Sequence, residues 1–222
     1  MTDKLELFSA KNCPYAHRTR LTLTEKGIDY QLNEINLSDK PKRFLEISFY
    51  GKVPAILHGT VEIYESAIIN EYLDEVFPQP PLRPSDPGQK AVLRIWVDFM
   101  NNHFLGDHYR LIGAQEPEKV ADLIAKQQER FRIMEKALGR FSRGGPFWLG
   151  ADLTLVDFAY YPFFERLCAW EHYRGLTVPE DCEKLLAWHE VMKAQSSVRT
   201  CALDSSYYVT HYEGYAKQII RP

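Results

Sequence analysis

The residue in this chain best equipped for chemistry is a cysteine at the joint between a strand and a helix. Cys13 lies in the run Phe8-Ser9-Ala10-Lys11-Asn12-Cys13-Pro14-Tyr15-Ala16-His17-Arg18. Pro14 suits the first helical position, where its missing N–H would be unpaired in any case. The free amides and the positive end of the helix dipole then face the Cys13 sulfur, with Lys11, His17 and Arg18 near in sequence. Each of these favours thiolate over thiol, the form that acts as a nucleophile. An inert buried cysteine is a poorer account of Cys-Pro-aromatic after a strand. Position 16 is alanine, so no Cys-x-x-Cys pair exists here. A mixed disulfide on Cys13 must be resolved by an outside thiol or a distant cysteine.

The elements that position Cys13 follow from periodicity. Lys4 to Phe8 alternates polar and apolar residues as a half-buried strand does, and a helix follows Cys13 until Gly27 caps it. Ile28 to Ile35 alternates as a second strand, which predicts a parallel pair with a right-handed crossover. After the polar loop Asn36 to Pro41 comes a short helix over Lys42 to Ile47. Val53 to Leu57 and Val61 to Tyr64 are short β runs around His58-Gly59-Thr60, an antiparallel hairpin, and Ser66 to Val76 is an amphipathic helix. Five prolines, at 78, 80, 81, 84 and 87, then make a connector that no helix interior accepts. Beyond it β signals nearly vanish. Helices are predicted over Gln89 to Ile112, Glu118 to Phe141, Thr154 to about Trp170, and Glu180 to Ala194, with an aromatic tail from Ser205 to Ile220. Thr154 and Asp157, three apart at a helix start, read as a capping box and so as a folding device rather than catalysts. The division is therefore 1–77, an α/β domain, 78–88, a linker, and 89–222, an all-α domain.

Composition narrows the function classes. The 222 residues are 45% hydrophobic, enough for a sizeable core, and 27 Lys plus Arg against 30 Asp plus Glu give a formal charge of −3. No basic excess calls for nucleic acid or an anionic membrane. There is no basic-then-apolar leader after Met1 and no long apolar run, so a cytoplasmic, membrane-free protein is expected. Four scattered cysteines (Cys13, Cys168, Cys182, Cys201) fit a reducing compartment better than a disulfide scaffold. A metal site is not expected: the seven histidines form no His-x-x-x-His pair, and His103 and His108 are spaced poorly for one ion.

Three stretches carry a family likeness. Asn12-Cys13-Pro14-Tyr15-Ala16-His17-Arg18-Thr19-Arg20-Leu21, Tyr64-Glu65-Ser66-Ala67-Ile68 and Pro162-Phe163-Phe164-Glu165-Arg166-Leu167, in this order and with Val53-Pro54 between the first two, resemble the cysteine-type glutathione transferases, omega class most closely and plant lambda class near. The resemblance spans nearly the whole chain. It implies a thioredoxin-like first domain with a mixed four-stranded sheet, an all-helical second domain, and glutathione as co-substrate. It also implies roles: Cys13 as nucleophile; a cis Val53-Pro54 bond presenting the Val53 backbone to the cysteinyl part of glutathione; Ser66 and Glu65 for the γ-glutamyl carboxylate and amine; Lys40 for the glycyl carboxylate. Against the helical domain, Tyr208, His211 and Tyr215 would face the second substrate, with Phe104, His108, Tyr109 and Trp170 as further candidates. A homodimer is implied by resemblance alone.

The activity this implies is thiol transfer: glutathione-dependent reduction of mixed disulfides or dehydroascorbate-like substrates through a Cys13–glutathione disulfide, with only weak conjugation of electrophiles. Two rivals stand beside it. One is a glutathione-dependent lyase, dehalogenase or etherase; the other is a non-enzymatic interaction protein of the same fold, against which the joint presence of Cys13, Lys40, Pro54, Glu65 and Ser66 speaks.

Overall fold

A computed structural model describes residues 4–218. They divide into two units: one runs to Arg83 and takes back Ser196–Cys201, and the other holds Pro84–Gln195 and the chain from Ala202 onward. The first unit therefore extends past the 77 read from sequence, and it recruits six residues from far down the chain.

The first unit is built from β1 (Leu5–Ser9), α1 (Pro14–Glu25), β2 (Gln31–Glu34), α2 (Lys42–Ile47), β3 (Ala55–His58), β4 (Val61–Tyr64) and α3 (Ser66–Val76). Its four strands lie in the order β2-β1-β3-β4, with β1 parallel to β2 and the other pairs antiparallel, as the βαβ-then-hairpin pattern predicts. β1 differs from expectation. It is buried on both faces rather than one. Leu5 and Leu7 join Leu23, Ile56, Ile69 and Leu73 in one core, while Phe8 joins Ala16, Phe44, Ile47 and Ala55 in the other. Each of the leucine, isoleucine and phenylalanine side chains contributes about 1.5–3 kcal/mol through burial. Glu6 tolerates its place in β1 because Arg43 and Asn33 both donate to its carboxylate, at 2.9 and 3.0 Å.

The unit reaches Arg83 for an electrostatic reason. The buried Lys26 ammonium, just past the end of α1, donates to Phe77 O and Pro80 O at 2.8 and 2.7 Å and pairs with Asp74 at 2.7 Å. Arg83 binds the other oxygen of Asp74 at 2.8 Å and reaches Glu71 and Glu75. These contacts pin the first part of the proline-rich connector onto α1 and α3. A long-range cluster of this kind leaves no periodic trace in sequence.

In the second unit come α4 (Pro87–Phe99), a π turn (Met100–Phe104), α5 (Leu105–Gly113), α6 (Pro117–Phe141), α7 (Leu155–Glu165), α8 (Leu167–Arg174) and α9 (Glu183–Ala194). α10 (Ser196–Cys201) then returns to pack on α1, and α11 (Ser205–Ala216) belongs again to the helical unit. Residues 219 and 220 of the predicted tail lie outside the described residues. The helix predicted over Gln89 to Ile112 is interrupted by the π turn, whose Phe104 carbonyl takes a hydrogen bond from the buried Gln127 amide at 3.2 Å. The helix predicted to about Trp170 breaks at Arg166, whose guanidinium donates to Pro162 O at 2.6 Å. Gly175 ends α8 with φ of 68°, a left-handed position that suits glycine. At Gly145 the backbone of Gly150 approaches so closely that a Cβ would meet its carbonyl carbon at 2.2 Å.

α7 is the axis of this unit, with every residue from Leu155 to Phe164 buried. The capping box at its start forms as predicted, and it reaches further. Thr154 N–H and Oγ1 both donate to Asp157 Oδ2 at 2.8 Å, while Trp148 N–H and Trp188 Nε1 donate to Oδ1 at 3.0 and 2.9 Å. Burial pushes the Asp157 carboxyl up, and these four donors pull it back.

Candidate active site

Cys13 is the residue just before α1, with extended backbone (φ −75°, ψ 119°). Its N–H donates to Ala10 O at 3.0 Å and its carbonyl accepts from His17 N–H at 3.0 Å, so the turn and the first helical bond share this one residue. Its half-buried thiol donates to Val53 O at 3.7 Å. Val53 precedes β3, and the Val53–Pro54 peptide is cis.

Of the other predicted residues of this unit, Lys40 and Glu65 lie in connecting segments and Ser66 begins a helix. Glu65 joins β4 to α3 with φ of 72°, a left-handed conformation that costs a non-glycine residue about 1–3 kcal/mol. Its carboxylate makes no capping bond to α3, so the first amides of that helix have no partner from the residue before them. Ser66 opens α3 and is 5% exposed. Lys40 is an exposed side chain whose ammonium lies 3.8 Å from where a side chain on Gly51 would begin, beside the segment leading into Val53.

Tyr15 ties two of these places together. Its phenol is pushed up by burial and by Cys13 and Glu65, and pulled down by Arg18, whose guanidinium sits 5.0 Å from the ring centroid. Arg18, Cys13 and Glu65 thus each act on the Tyr15 phenol. The sequence reading named Tyr15 only as the aromatic after Pro14. The influence of Glu65, fifty positions on, is announced by no local pattern.

Four of the seven residues expected to face the second substrate are buried. Phe104, His108, Trp170 and Tyr208 are each at most 1% exposed and pack the interior of the helical unit. His108 stacks on Trp170 at 4.0 Å and on Phe104 at 5.0 Å. Tyr208 donates to Glu165 and lies under the Arg166 guanidinium at 4.5 Å. Aromatic residues at helical spacing filled the core because that is where their apolar area is best removed from water. Tyr109, His211 and Tyr215 are partly exposed. On α11 the partly exposed stripe is Tyr207, His211 and Tyr215, with Tyr207 lying parallel to His211 at 9°, while the neighbouring Tyr208 is buried.

Burial pushes His108 down to about 3, which makes a measurable prediction. Its folded pKa lies below the unfolded value near 6.5, so above that pH it has no effect on stability. As the pH falls below it, the unfolded chain takes a proton that the folded chain refuses, costing up to about 1.4 kcal/mol per pH unit. Between pH 7 and pH 5, His108 alone is expected to cost about 2 kcal/mol in chemical denaturation, and His189, held at about 4 by burial, a comparable amount. His108→Phe should remove about half of the combined loss; an unchanged slope would take His108 out of the account.

Comparison with known proteins follows the same division of the chain. Residues 12–76 match the family model "Glutathione S-transferase, N-terminal domain", and residues 118–190 match "Glutathione S-transferase, C-terminal domain". A probable glutathione S-transferase, MSR-1 of Nicotiana plumbaginifolia, is 31% identical, with 86% of each chain covered. The chain belongs to the glutathione S-transferase family. Glutathione S-transferase omega-1 of Sus scrofa is 33% identical over 75% of this transferase and 68% of its own length. Among solved structures, glutathione transferase Omega 3C from Trametes versicolor superposes with a TM-score of 0.86 at 32% identity, covering 99% of this transferase and 93% of that chain. Among the described residues of the transferase, no group of three or more His, Cys, Asp or Glu side chains is placed to hold a metal ion, and no helix is long and apolar enough to cross a membrane.

Proposed function

We propose that this glutathione S-transferase is of the cysteine type and acts as a thiol transferase, reducing glutathionyl mixed disulfides or dehydroascorbate-like substrates. The observation that carries this reading is the Cys13 thiol at the start of α1, turned onto the Val53 carbonyl at 3.7 Å. Cys13 is the residue just before α1, next to the positive end of the helix dipole, which favours thiolate, and its sulfur touches the backbone edge along which an extended peptide would pair. Likeness to omega transferases at 33% and 32% identity supports the same reading.

The residues fit glutathione as co-substrate. The uncapped amides of α3 and the Ser66 hydroxyl suit the γ-glutamyl carboxylate, Glu65 its amine, the Val53 backbone the cysteinyl amide, and Lys40 the glycyl carboxylate. In the reaction the Cys13 thiolate attacks the glutathione sulfur of a mixed disulfide, forming a Cys13–glutathione disulfide and expelling the other thiolate, which takes up a proton. A second glutathione thiolate then attacks the glutathione sulfur carried by Cys13. Glutathione disulfide leaves, and Cys13 returns as thiolate.

The intermediate is the test. Treating the protein with glutathione disulfide is expected to add a single glutathionyl group by intact mass, mapped to Cys13 by peptide analysis and removed by fresh glutathione. Labelling confined to Cys168 or Cys201, with Cys13 unmodified, would overturn the reading.

A further inference from the structure

We propose that Arg20 is a positioning residue for Cys13, fixing the turn that delivers the thiol to the start of α1. The inference rests on Cys13 being the nucleophile, as argued above. Arg20 lies in α1, yet its side chain reaches back over the turn between β1 and the helix. One terminal nitrogen donates to Ser9 Oγ at 2.8 Å and Ala10 O at 3.2 Å, and the other donates to Lys11 O at 3.0 Å. Those three residues are consecutive and end two positions before Cys13. Ala10 O is also the acceptor for the Cys13 N–H at 3.0 Å. The carbonyl that closes the turn onto Cys13 is therefore held from the far side by the guanidinium.

The turn is held from its outer edge too. Lys11 N–H donates to the Glu34 carboxylate at the end of β2. Between the Arg20 fork and Glu34, the Ser9 hydroxyl, the Ala10 and Lys11 carbonyls and the Lys11 amide are all engaged, which holds the turn ahead of Cys13. A guanidinium suits this task better than an ammonium, because its planar fork serves several acceptors in fixed geometry. Its charge also lies in the turn leading to the thiol, where it favours thiolate. Arg18, two residues earlier, is engaged with Tyr15 instead.

The test compares wild type, Arg20→Lys and Arg20→Gln by the rate of Cys13 alkylation with iodoacetamide as a function of pH, the Cys13 peptide being quantified by mass spectrometry so that the other cysteines do not contribute. Alkylation needs neither glutathione nor turnover. The expected order is Arg, then Lys, then Gln, with Arg20→Gln slower by about tenfold or more at pH 7 and its pH midpoint moved upward. In disulfide reduction kcat is expected to fall about 10- to 100-fold while KM for glutathione moves less than about threefold, since Lys40, Glu65 and Ser66 are untouched. A purely structural role would lower the melting temperature and leave the alkylation profile unmoved; that result overturns the proposal. Should Arg20→Gln fail to fold, Arg20→Lys alone decides, and alkylation equal to wild type at every pH sinks the idea. If the order holds while Cys13→Ser keeps full reductase turnover, the positioning stands and the thiol-transferase reading is what fails.

Discussion

Replacing Cys13 with serine is expected to cut glutathione-dependent reduction of a small hydroxyethyl disulfide by about a thousandfold or more, equivalent to about 4 kcal/mol of barrier. A serine hydroxyl is almost wholly protonated near neutral pH and forms no disulfide, so the covalent step disappears. The same change has an opposite expected effect on conjugation to an aryl halide. In the wild type the Cys13 sulfur competes with electrophiles for the bound glutathione sulfur by forming a disulfide with it. A hydroxyl at the start of α1 would instead donate to the glutathione thiolate and leave it free to attack carbon. Both rates, measured on protein retained by glutathione resin, separate the outcomes. Reduction lost with conjugation gained supports the division of labour; reduction unchanged removes Cys13 from the mechanism. Wild-type protein that binds the resin yet turns over no disulfide would direct attention to lyase substrates or protein partners.

Asp157→Ala is expected to cost at least about 4 kcal/mol and to leave little soluble protein. The carboxylate accepts four hydrogen bonds in a site with no solvent exposure, from Trp148 N–H, Thr154 N–H, Thr154 Oγ1 and Trp188 Nε1. Removing it strands all four donors, each at about 1–3 kcal/mol when buried. Thr154→Ala removes only the hydroxyl and is expected to cost about 1 kcal/mol, and it serves as the folded reference. Urea denaturation followed by tryptophan fluorescence suits the measurement, because Trp148 and Trp188 both contact the site. An Asp157→Ala protein within about 1 kcal/mol of wild type would mean that α7 does not depend on this network.

Much of the first unit was legible because its signals are local. Strand alternation, Pro14 after Cys13, the glycine-bearing hairpin and the start of α3 each need only a few neighbouring residues. The capping box was legible for the same reason, although its reach to Trp148 and Trp188 was not. What escaped the reading depends on contacts distant in sequence or on small changes of helical phase. The π turn at Met100–Phe104 preserves the apolar periodicity on either side, and the carbonyl it exposes is answered by Gln127, 23 residues on. The break at Arg166 carries no glycine or proline at the joint itself. On α11 one residue separates Tyr207 from Tyr208, and in a helix that is a quarter-turn between the partly exposed face and the core. Lys26 and Arg83 look like ordinary surface charges until Asp74 and the connector carbonyls are brought to them. Of the candidate site, Cys13, Val53-Pro54 and Glu65-Ser66 could be named from motifs and the family resemblance, whereas the surroundings of Tyr15 and the reach of Arg20 are visible only in the fold.

The return of α10 to the first unit bears on the order in which a ribosome would release this protein. Val198 and Ser197 are buried, and Cys201 lies against Thr24 of α1 at 3.3 Å. Until residues 196–201 have emerged, that flank of α1 faces water. Domains usually fold in the order of their synthesis, but here the half that bears Cys13 is begun first and finished near the end. A nascent chain stalled before residue 196 would carry Cys13 at the head of a helix still missing part of its support.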